Sequence, residues 1–551
     1  MPLYTNNLFG DIDAELDVKS LKEDFISTYA FYNSMNEHCY LLRGFKGCGK
    51  TAFRIRLQMC NDTFCCDINE KKCNLSLKFC DEGPFEIIFI KSDDLKLDNL
   101  FELSIEAQSK RHFGIQNEML RLWEILCKIE VFKRLPELQS NEAYKRFVSR
   151  TKLDTSNPSK IVSALLDAMA RLVTRDPKMM DYTEEFFDSA LDLKNDFDEA
   201  ERAARNILMT SNKKYYIFFD GFDRYLDGIL HTYSKNAKQN FTLDLTNSLI
   251  ILGYDFLKGS VSSNEDTVTL PNVYCKVLLP EDFIIRTEMR DAIKYLDKSI
   301  LLNWDRNDLK EFICTRIHSI IEKKHENLTD SKMEQIWKRM FGDELTNRYH
   351  SNSIEDSFEY FLRHTLFRPR DFQILCSRVV EEMNVDRKFK NSAEFVDAIS
   401  EDPIPQDYIR DGINSGCRHL VGRLYEEFQI INFQMLLEGF SKKKSIMSYA
   451  KVYEVLEDYC NTNKLNVDET IRTLFNIGFL GKFIHGDEKI AEMYRKYRNL
   501  KNVNNSGKYY IALFSFAGHY NEYPLSNWDV AISPVFYDTL EIRADRRIIY
   551  P

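Results

Sequence analysis

Features typical of membrane-bound and secreted proteins are missing from the sequence. No apolar stretch approaches the ~20 residues that a membrane-spanning helix needs, and the longest candidate, SLIILGYDFL, is interrupted. The N-terminal residues contain no basic segment followed by an apolar core, which is the pattern of a signal peptide. From these absences we expect a cytoplasmic protein with no membrane partner.

Patterns of structural metal sites and disulfides are also missing. The chain has 13 cysteines, an odd number, and most stand in apolar stretches, which indicates reduced, buried thiols. One cluster runs from Cys60 to Cys80, but it contains no CxxC pair and no nearby histidine pair, so its spacing does not match a zinc site. A cysteine-rich insert between strands is the favoured interpretation, and a metal site is the weaker alternative.

An excess of basic residues is lacking as well. The formal net charge is -10, which argues against non-specific coating of nucleic acid, although a local basic face would still bind it. No nuclease, protease or NAD-cleaving motif is evident. The chain is 44% hydrophobic and 29% charged, as is usual for folded globular proteins, and its length allows two to four domains.

One stretch carries a complete motif. Residues 38–51 read HCYLLRGFKGCGKT, a short apolar strand at 39–42 followed by the phosphate-binding pattern GxxxxGK[ST]. The next segment, AFRIRLQMC, is compatible with a helix. We expect the loop amides to converge on phosphate oxygens at the start of that helix. A chance glycine-rich turn is the alternative, and the complete pattern in this context disfavours it.

The motif predicts a role for each kind of residue in the loop. Lys50 is placed to reach the β- and γ-phosphates of a nucleotide, and the Thr51 hydroxyl to ligate Mg²⁺. Gly44, Gly47 and Gly49 are expected to take backbone conformations closed to residues with a Cβ. The predicted nucleotide-binding residues are Gly44, Phe45, Lys46, Gly47, Cys48, Gly49, Lys50 and Thr51.

A second buried strand, predicted at residues 215–219, ends in Asp220. A carboxylate at the end of a core strand is placed as a Walker B residue, where it would hold Mg²⁺ beside Thr51. Asp223 is the candidate for orienting or deprotonating the attacking water. An ordinary turn cap is the alternative for either aspartate, and the preceding phosphate loop favours the functional reading.

The residues around this strand resemble a known signature. FFDGFDR at 218–224 resembles the hhhhDGhDE pattern of STAND-type ATPases, including the NACHT class. Arg224 stands where those proteins usually carry Glu, so Asp223 lacks an acidic neighbour and hydrolysis is expected to be slow.

The same resemblance implies arginines that act on the γ-phosphate. A third core strand is predicted at residues 275–286, and in this superclass it precedes a sensor residue or a trans-acting arginine, with Arg286 and Arg290 as candidates. A second sensor arginine is implied at the start of a lid helix that opens at Pro369, with Arg370 the first candidate and Arg368 the second. A surface arginine is the alternative for each.

The C-terminal part has the order of a winged helix. Three predicted helices are followed by two strands, and NIGFLGKF reads as helix, glycine and strand. Winged helices bind DNA through the third helix, but here that helix carries Asp468 and Glu469, with Arg472 and Lys482 nearby. Protein contact is therefore at least as strongly predicted as DNA binding. Basic residues at 442–444 and 495–501 are more simply a solvated face than phosphate contacts.

These motifs predict the domain organisation. Residues 98–210 and 330–400 are expected to be helical, a strand is predicted at 84–94, and residues 247–257 fit either a helix or a strand. One helical periodicity covers residues 21–31, and the two prolines of EDPIPQD mark a linker at 401–407. The predicted parts are an N-terminal helical segment at 1–37, a core at 38–300 with an insertion at about 98–210, a helical lid at 301–400 and a winged helix at 408–551.

Together LFGDIDAELD, GFKGCGKT, FFDGFD, RPRD and ISPVFYDTLEI resemble a group of bacterial P-loop ATPases. That group is similar to STAND and origin-recognition-type AAA+ proteins, and several members lie in anti-phage defence loci. The resemblance implies an α/β fold of the P-loop NTPase type (ASCE/STAND-like), with a parallel sheet, a large helical insertion, a helical lid and a C-terminal winged helix.

The function implied is an ATP- and Mg²⁺-dependent switch that forms a homo-oligomer and controls a separate effector protein. Two alternatives remain at this point. One is an ATP-dependent DNA-binding loader or motor that uses the winged helix. The other is a structural nucleotide binder without turnover.

Overall fold

The computed structural model of the chain divides into two units. The core unit comprises Ser27–Lys46 and Lys50–Leu302, and the C-terminal unit comprises Met1–Ile26, Gly47–Gly49 and Asn303–Pro551. The residues described are 8–11, 13–34, 36–62, 84–111, 114–151, 166, 191–222, 235–261, 270–281, 296–322, 328–347, 353–428, 430, 432–485, 510–513, 529–542 and 548–549.

The N-terminal segment contains two short helices, α1 (Val18–Glu23) and α2 (Tyr29–Ser34). The single helical periodicity predicted over residues 21–31 is therefore wrong. Helix α1 ends where the Asp24 carboxylate accepts a hydrogen bond from Ser319 Oγ at 2.7 Å, so a tertiary contact overrides the local pattern.

Five strands of the core unit form one parallel sheet. Their order across the sheet is β2-β3-β4-β1-β5, and the carboxyl ends of parallel strands share one edge, where open α/β sheets bind ligands. This mixed α/β architecture is compatible with a P-loop-like fold, which confirms the prediction at that level. The strands are β1 (Leu41–Gly44), β2 (Phe85–Lys91), β3 (Lys214–Asp220), β4 (Val273–Pro280) and β5 (Ser299–Leu301).

The central strands follow from continuous apolar runs. Every residue of β4 is buried, and so is every residue of β3 except the first, as expected for parallel strands covered on both faces. The strand predicted at 215–219 is confirmed, and those predicted at 84–94 and 275–286 are confirmed in part. Strand β2 ends at Lys91, after which a 3-10 helix (Ser92–Leu95) begins, and β4 ends at Pro280; residues 282–286 lie outside the described part of the chain.

Helices of the core unit pack against this sheet. The Trp123 ring lies edge-on to Phe219 of β3, with centroids 6.2 Å apart, and its indole N–H donates to Ser248 Oγ at 3.0 Å. The helices are α3 (Lys50–Asp62), α4 (Leu97–Arg111), α5 (Gln116–Phe132), α6 (Glu142–Thr151), α7 (Leu191–Thr210) and α8 (Lys235–Val261).

These helices settle two sequence-based expectations. The described parts of residues 98–210 are largely helical, as predicted, and residues 247–257, left open between helix and strand, lie within α8. Helix α8 buries Leu245, Leu249, Leu252 and Phe256, which repeat at helical spacing. None of the described helices combines the length and apolarity that crossing a membrane requires.

The C-terminal unit also contains helices on either side of the predicted linker. The linker is short, because helix ends at Glu401 and resumes at Gln406. The helices after α8 are α9 (Arg306–Glu322), α10 (Asp330–Phe341), α11 (Ser357–Arg363), α12 (Pro369–Arg387), α13 (Ser392–Glu401), α14 (Gln406–Phe428), α15 (Phe433–Phe440), α16 (Tyr449–Asn463), α17 (Val467–Asn476) and α18 (Tyr537–Leu540).

A hairpin interrupts these helices, so the prediction that residues 330–400 are helical is wrong in part. Strands β6 (Glu344–Asn347) and β7 (Ser353–Asp356) pair antiparallel. Helix α10 ends at Phe341, and the next residue, Gly342, has a φ of +75°, which glycine adopts without strain. Strands of four residues are too short to show a clear period in the sequence.

A second sheet lies in the last part of the C-terminal unit. Its order is β12-β10-β9-β11-β8, and the predicted turn from α17 into β9 is confirmed, with Gly478 at φ +78°. The sequence missed β8 because it has only three residues and leads directly into α16. The strands are β8 (Ile446–Ser448), β9 (Leu480–His485), β10 (Tyr510–Leu513), β11 (Asp529–Ile532) and β12 (Ile548–Ile549).

The cysteines in the described part of the chain fit the prediction of reduced, buried thiols. Eight of them are buried and free. Within the described residues no group of three or more His, Cys, Asp or Glu side chains is arranged to hold a metal. Of the cysteine cluster, Cys65, Cys66, Cys73 and Cys80 lie outside the residues described.

One buried charge in the core sheet does not fit the apolar pattern. Lys276 lies in the middle of β4 and has no exposed surface. Its ammonium donates to the backbone carbonyl of Asn36 at 2.6 Å and to that of Cys39, which ties the turn before β1 to the sheet. Burial lowers the pKa of Lys276 to about 8, because a dry environment disfavours the charged form.

We expect the stability of the wild-type protein to rise with pH relative to a Lys276→Met variant. The folded-state pKa of about 8 lies below the ordinary value of 10.5. Between these pH values the unfolded chain therefore binds more protons than the folded protein, so raising the pH destabilises the unfolded state relative to the folded one. The increase should approach about 1.4 kcal/mol per pH unit in that window. Urea unfolding of both proteins from about pH 7 to about pH 10 measures it, and a constant difference would contradict this reading.

Candidate functional site

The predicted phosphate loop connects a parallel strand to a helix. Strand β1 ends at Gly44 and α3 begins at Lys50. Gly47 and Gly49 have φ values of +80° and +99°, a region that costs other residues about 1–2 kcal/mol. The prediction was wrong for Gly44, which instead ends β1 in register with Pro280 and has no positive φ.

Lys50, the first residue of α3, is buried within the loop that precedes it. Its ammonium donates to the carbonyl oxygens of Gly44 at 2.8 Å and Phe45 at 3.1 Å. Thr51 follows it and is half-buried. The first amides of a helix lack intrahelical acceptors and carry the positive end of the helix dipole, so this end of α3 is suited to an anion.

The turn of the loop, Gly47–Gly49, groups with the C-terminal unit, and there it meets two predicted arginines. A Cβ on Gly47 would lie 3.5 Å from Arg368 Cδ and from Arg370 Cβ. Arg370 is half-buried, whereas Arg368 is buried and precedes Pro369, the first residue of α12. The prediction that a helix opens at Pro369 is confirmed.

Trp304 also contacts this turn, which the sequence did not reveal. Its indole N–H donates to the Cys48 carbonyl at 2.7 Å, and its ring packs edge-on to Phe312 of α9 with centroids 5.6 Å apart. The neighbouring Asp305 caps the start of α9, since its carboxylate accepts hydrogen bonds from the backbone N–H groups of residues 307 and 308. Nothing in the local pattern pointed from Trp304 to a loop 256 positions away.

Asp220, the predicted Walker B residue, is the last residue of β3 and is buried. Its Oδ2 accepts a hydrogen bond from Arg54 Nε at 2.9 Å, and Arg54 lies one turn after Lys50 on α3. The next residue, Gly221, has φ +92° and its carbonyl accepts a bond from Ser92 Oγ at 2.8 Å. Strand β4 alone separates β3 from β1, so their ends lie about 10 Å apart at the usual strand spacing.

A second buried carboxylate lies at the same edge of the sheet. Glu281 directly follows β4, and its Oε1 accepts from Arg43 Nη1 at 2.6 Å. Arg43 Nε also donates to Ser299 Oγ at 3.1 Å, so this arginine joins β1, β4 and β5. Glu281 follows an apolar strand just as Asp220 does, which is the signal that would have identified it in the sequence.

Three predicted catalytic residues lie outside the described part of the chain. They are Asp223, Arg286 and its alternative Arg290. Their roles stay predictions.

The described residues fit a magnesium ion. Mg²⁺ prefers oxygen ligands and needs one or two protein groups besides water and phosphate, and the Asp220 carboxylate and Thr51 hydroxyl are such groups. A metal ion would not have the Asp220 carboxylate to itself, because Arg54 already donates to one of its oxygens.

No protein-family model matches this chain, and no curated protein sequence matches it. The interpretation of the site therefore depends on its own residues.

We expect Gly49→Ala to destabilise the protein by about 1–2 kcal/mol, because alanine is strained at a left-handed φ. Gly422→Ala in α14 is the matched control: no heavy atom lies within 4 Å of the added Cβ, and φ there is not positive. That change should stabilise by roughly 0.5–1 kcal/mol through helix propensity. Urea unfolding compares the two variants, and equal effects of the same sign would contradict the loop conformation described here.

Proposed function

We propose that the chain is an ATP-binding and ATP-hydrolysing P-loop NTPase that works as a molecular switch. The observation that carries this proposal is the placement of two motifs in one parallel sheet. The loop from Gly44 to Thr51 joins the carboxyl end of β1 to the start of α3, and Asp220 ends β3 with one strand between them.

Each described residue has a chemical role in this proposal. The loop amides bind phosphate oxygens, and Lys50 exchanges its two carbonyl acceptors for the β- and γ-phosphates. Thr51 and Asp220 would hold Mg²⁺, which would neutralise charge on the phosphates. Arg370, beside Gly47, is the proposed sensor arginine. For residues outside the described part we keep the sequence-based roles, with Asp223 orienting water and Arg286 stabilising the transferring phosphoryl group.

The switch itself is supported by the contact of Trp304 with the loop. Within the C-terminal unit, the indole of Trp304 is bonded to Cys48 and packs on α9. A ligand that reshapes the turn Gly47–Gly49 would therefore act on the start of α9. Assembly into a homo-oligomer, control of a separate effector and a place in anti-phage defence rest on the family resemblance alone.

A second candidate function is ATP-dependent DNA binding. The order α15, β8, α16, α17, β9, with an antiparallel β9–β11 pair, favours a winged helix. The first turn of α17 argues against a DNA reader, since it carries Asp468 and Glu469, and Tyr449 donates to Asp468 at 2.6 Å. We therefore rank protein contact first for this domain.

We expect Lys50→Ala to weaken ATP binding by about 10- to 150-fold and leave the fold intact. A hydrogen bond to a charged group is worth roughly 1.5–3 kcal/mol, and each 1.4 kcal/mol or so is about tenfold in affinity. Calorimetric titration with Mg-ATP measures the affinity, and mass measurement with and without ATP tests whether assembly follows binding.

Lys390→Ala is the control, because that side chain is 85% exposed and its loss should change neither result. Wild-type affinity in Lys50→Ala would show that the loop does not bind the nucleotide.

DNA binding is tested separately by titrating a labelled duplex at about 50 mM and about 200 mM salt, with and without ATP. We expect weak binding that does not respond to ATP. A tight, ATP-stimulated complex whose affinity falls steeply with salt, as phosphate contacts require, would make the second candidate the better one.

A further inference from the structure

We infer that Arg54 tunes the metal site by sharing the Asp220 carboxylate with Mg²⁺, so that its guanidinium weakens the metal's hold. The inference rests on the proposed function, in which Asp220 is a metal ligand. It makes Arg54 a positioning residue, which acts on the metal through Asp220.

The starting observation is a buried ion pair inside the candidate site. Arg54 Nε and Asp220 Oδ2 are 2.9 Å apart, and their side chains are only 5% and 8% exposed. A pair so shielded from water is little screened by solvent or salt, so each charge interacts strongly with the other. Before a metal binds, Arg54 therefore supplies positive charge to the buried carboxylate.

Both partners are held firmly. Asp220 ends a buried strand, and the backbone just after it is fixed by the Ser92 bond to Gly221. Arg54 follows Phe53, whose ring packs against Phe31 at 4.9 Å and Phe218 at 6.3 Å between centroids. With α3 anchored in this way, the guanidinium stays beside the carboxylate when a second cation arrives.

Two cations then face one carboxylate. The guanidinium occupies Oδ2, which orients the carboxylate plane, and its charge repels a metal ion bound to the same group. The result is a metal site of lowered affinity, filled together with the nucleotide, whose phosphates add the negative charge that the site lacks. Nucleotide binding would then depend steeply on Mg²⁺.

The experiment measures ATP affinity by calorimetry while Mg²⁺ is varied. In Arg54→Gln, which removes the charge, we expect the Mg²⁺ concentration for half-maximal ATP affinity to fall about tenfold, equivalent to about 1.4 kcal/mol. Arg54→Lys keeps the charge and should stay near wild type. In an Asp220→Asn background, Arg54→Gln should have no effect on the Mg²⁺ midpoint, as a double-mutant cycle requires.

A second measurement uses Mg²⁺ alone and follows thermal unfolding. A ligand that binds the folded state more tightly stabilises it more, so Mg²⁺ should raise the midpoint of Arg54→Gln more than that of wild type. If Arg54→Gln folds poorly without metal, the same argument predicts that Mg²⁺ restores its folding, which would appear as a larger rise in the unfolding midpoint.

The outcomes separate the inference from the proposed function. If wild type binds ATP with Mg²⁺ but the midpoint in Arg54→Gln is unchanged or raised, the inference is overturned and the proposed function stands. A shift in Arg54→Lys equal to that in Arg54→Gln would also overturn it, since charge would not be the cause. If wild type does not bind ATP at all, the proposed function fails.

Discussion

The pairing of β1 with β4 and of β4 with β3 is the constraint on which the candidate site depends. Parallel hydrogen bonding sets Gly44 opposite Pro280 and Phe219 opposite Val277, so the loop, Glu281 and Asp220 emerge at one edge. A slip of one residue in either pairing would turn the side chains to the other face of the sheet. The register of the strands thus determines which residues come together in the candidate site, and the chemistry of their side chains then determines what the site can bind.

The charged side chains at this edge already have hydrogen-bond partners. Lys50 donates to loop carbonyls, Arg54 binds Asp220, and Arg43 binds Glu281. Buried charges need such partners, because an isolated one is strongly disfavoured away from water. A ligand that bound here would therefore exchange partners with these charges, and its affinity would reflect how much more strongly each charge binds its new partner than its old one. Because the affinity would be a difference between two strong interactions, removal of one charged side chain from the site would change it markedly.

The sequence predicted the parts of the fold that depend on residues close together in the chain. Fixed spacing predicted the glycine-containing loop between β1 and α3, and continuous apolar runs identified β3 and β4. It left α8 open, since that helix is apolar on several sides, and it missed the short β8 and the β6–β7 hairpin. The pairs that complete the site join distant positions, such as Arg54 with Asp220 and Trp304 with Cys48. No local pattern contains a contact across 166 or 256 positions, so these became visible only in three dimensions.

The bond from Trp304 to Cys48 gives the loop an optical label of its own. Trp123 and Trp337 are fully buried, and each indole N–H is bonded to a serine hydroxyl, Ser248 and Ser357. Trp304 differs, since it is half-buried and its N–H is bonded to the backbone of the loop turn. Its emission should therefore respond to the conformation of residues 47–49, so that intrinsic fluorescence can follow the loop in real time without an attached dye.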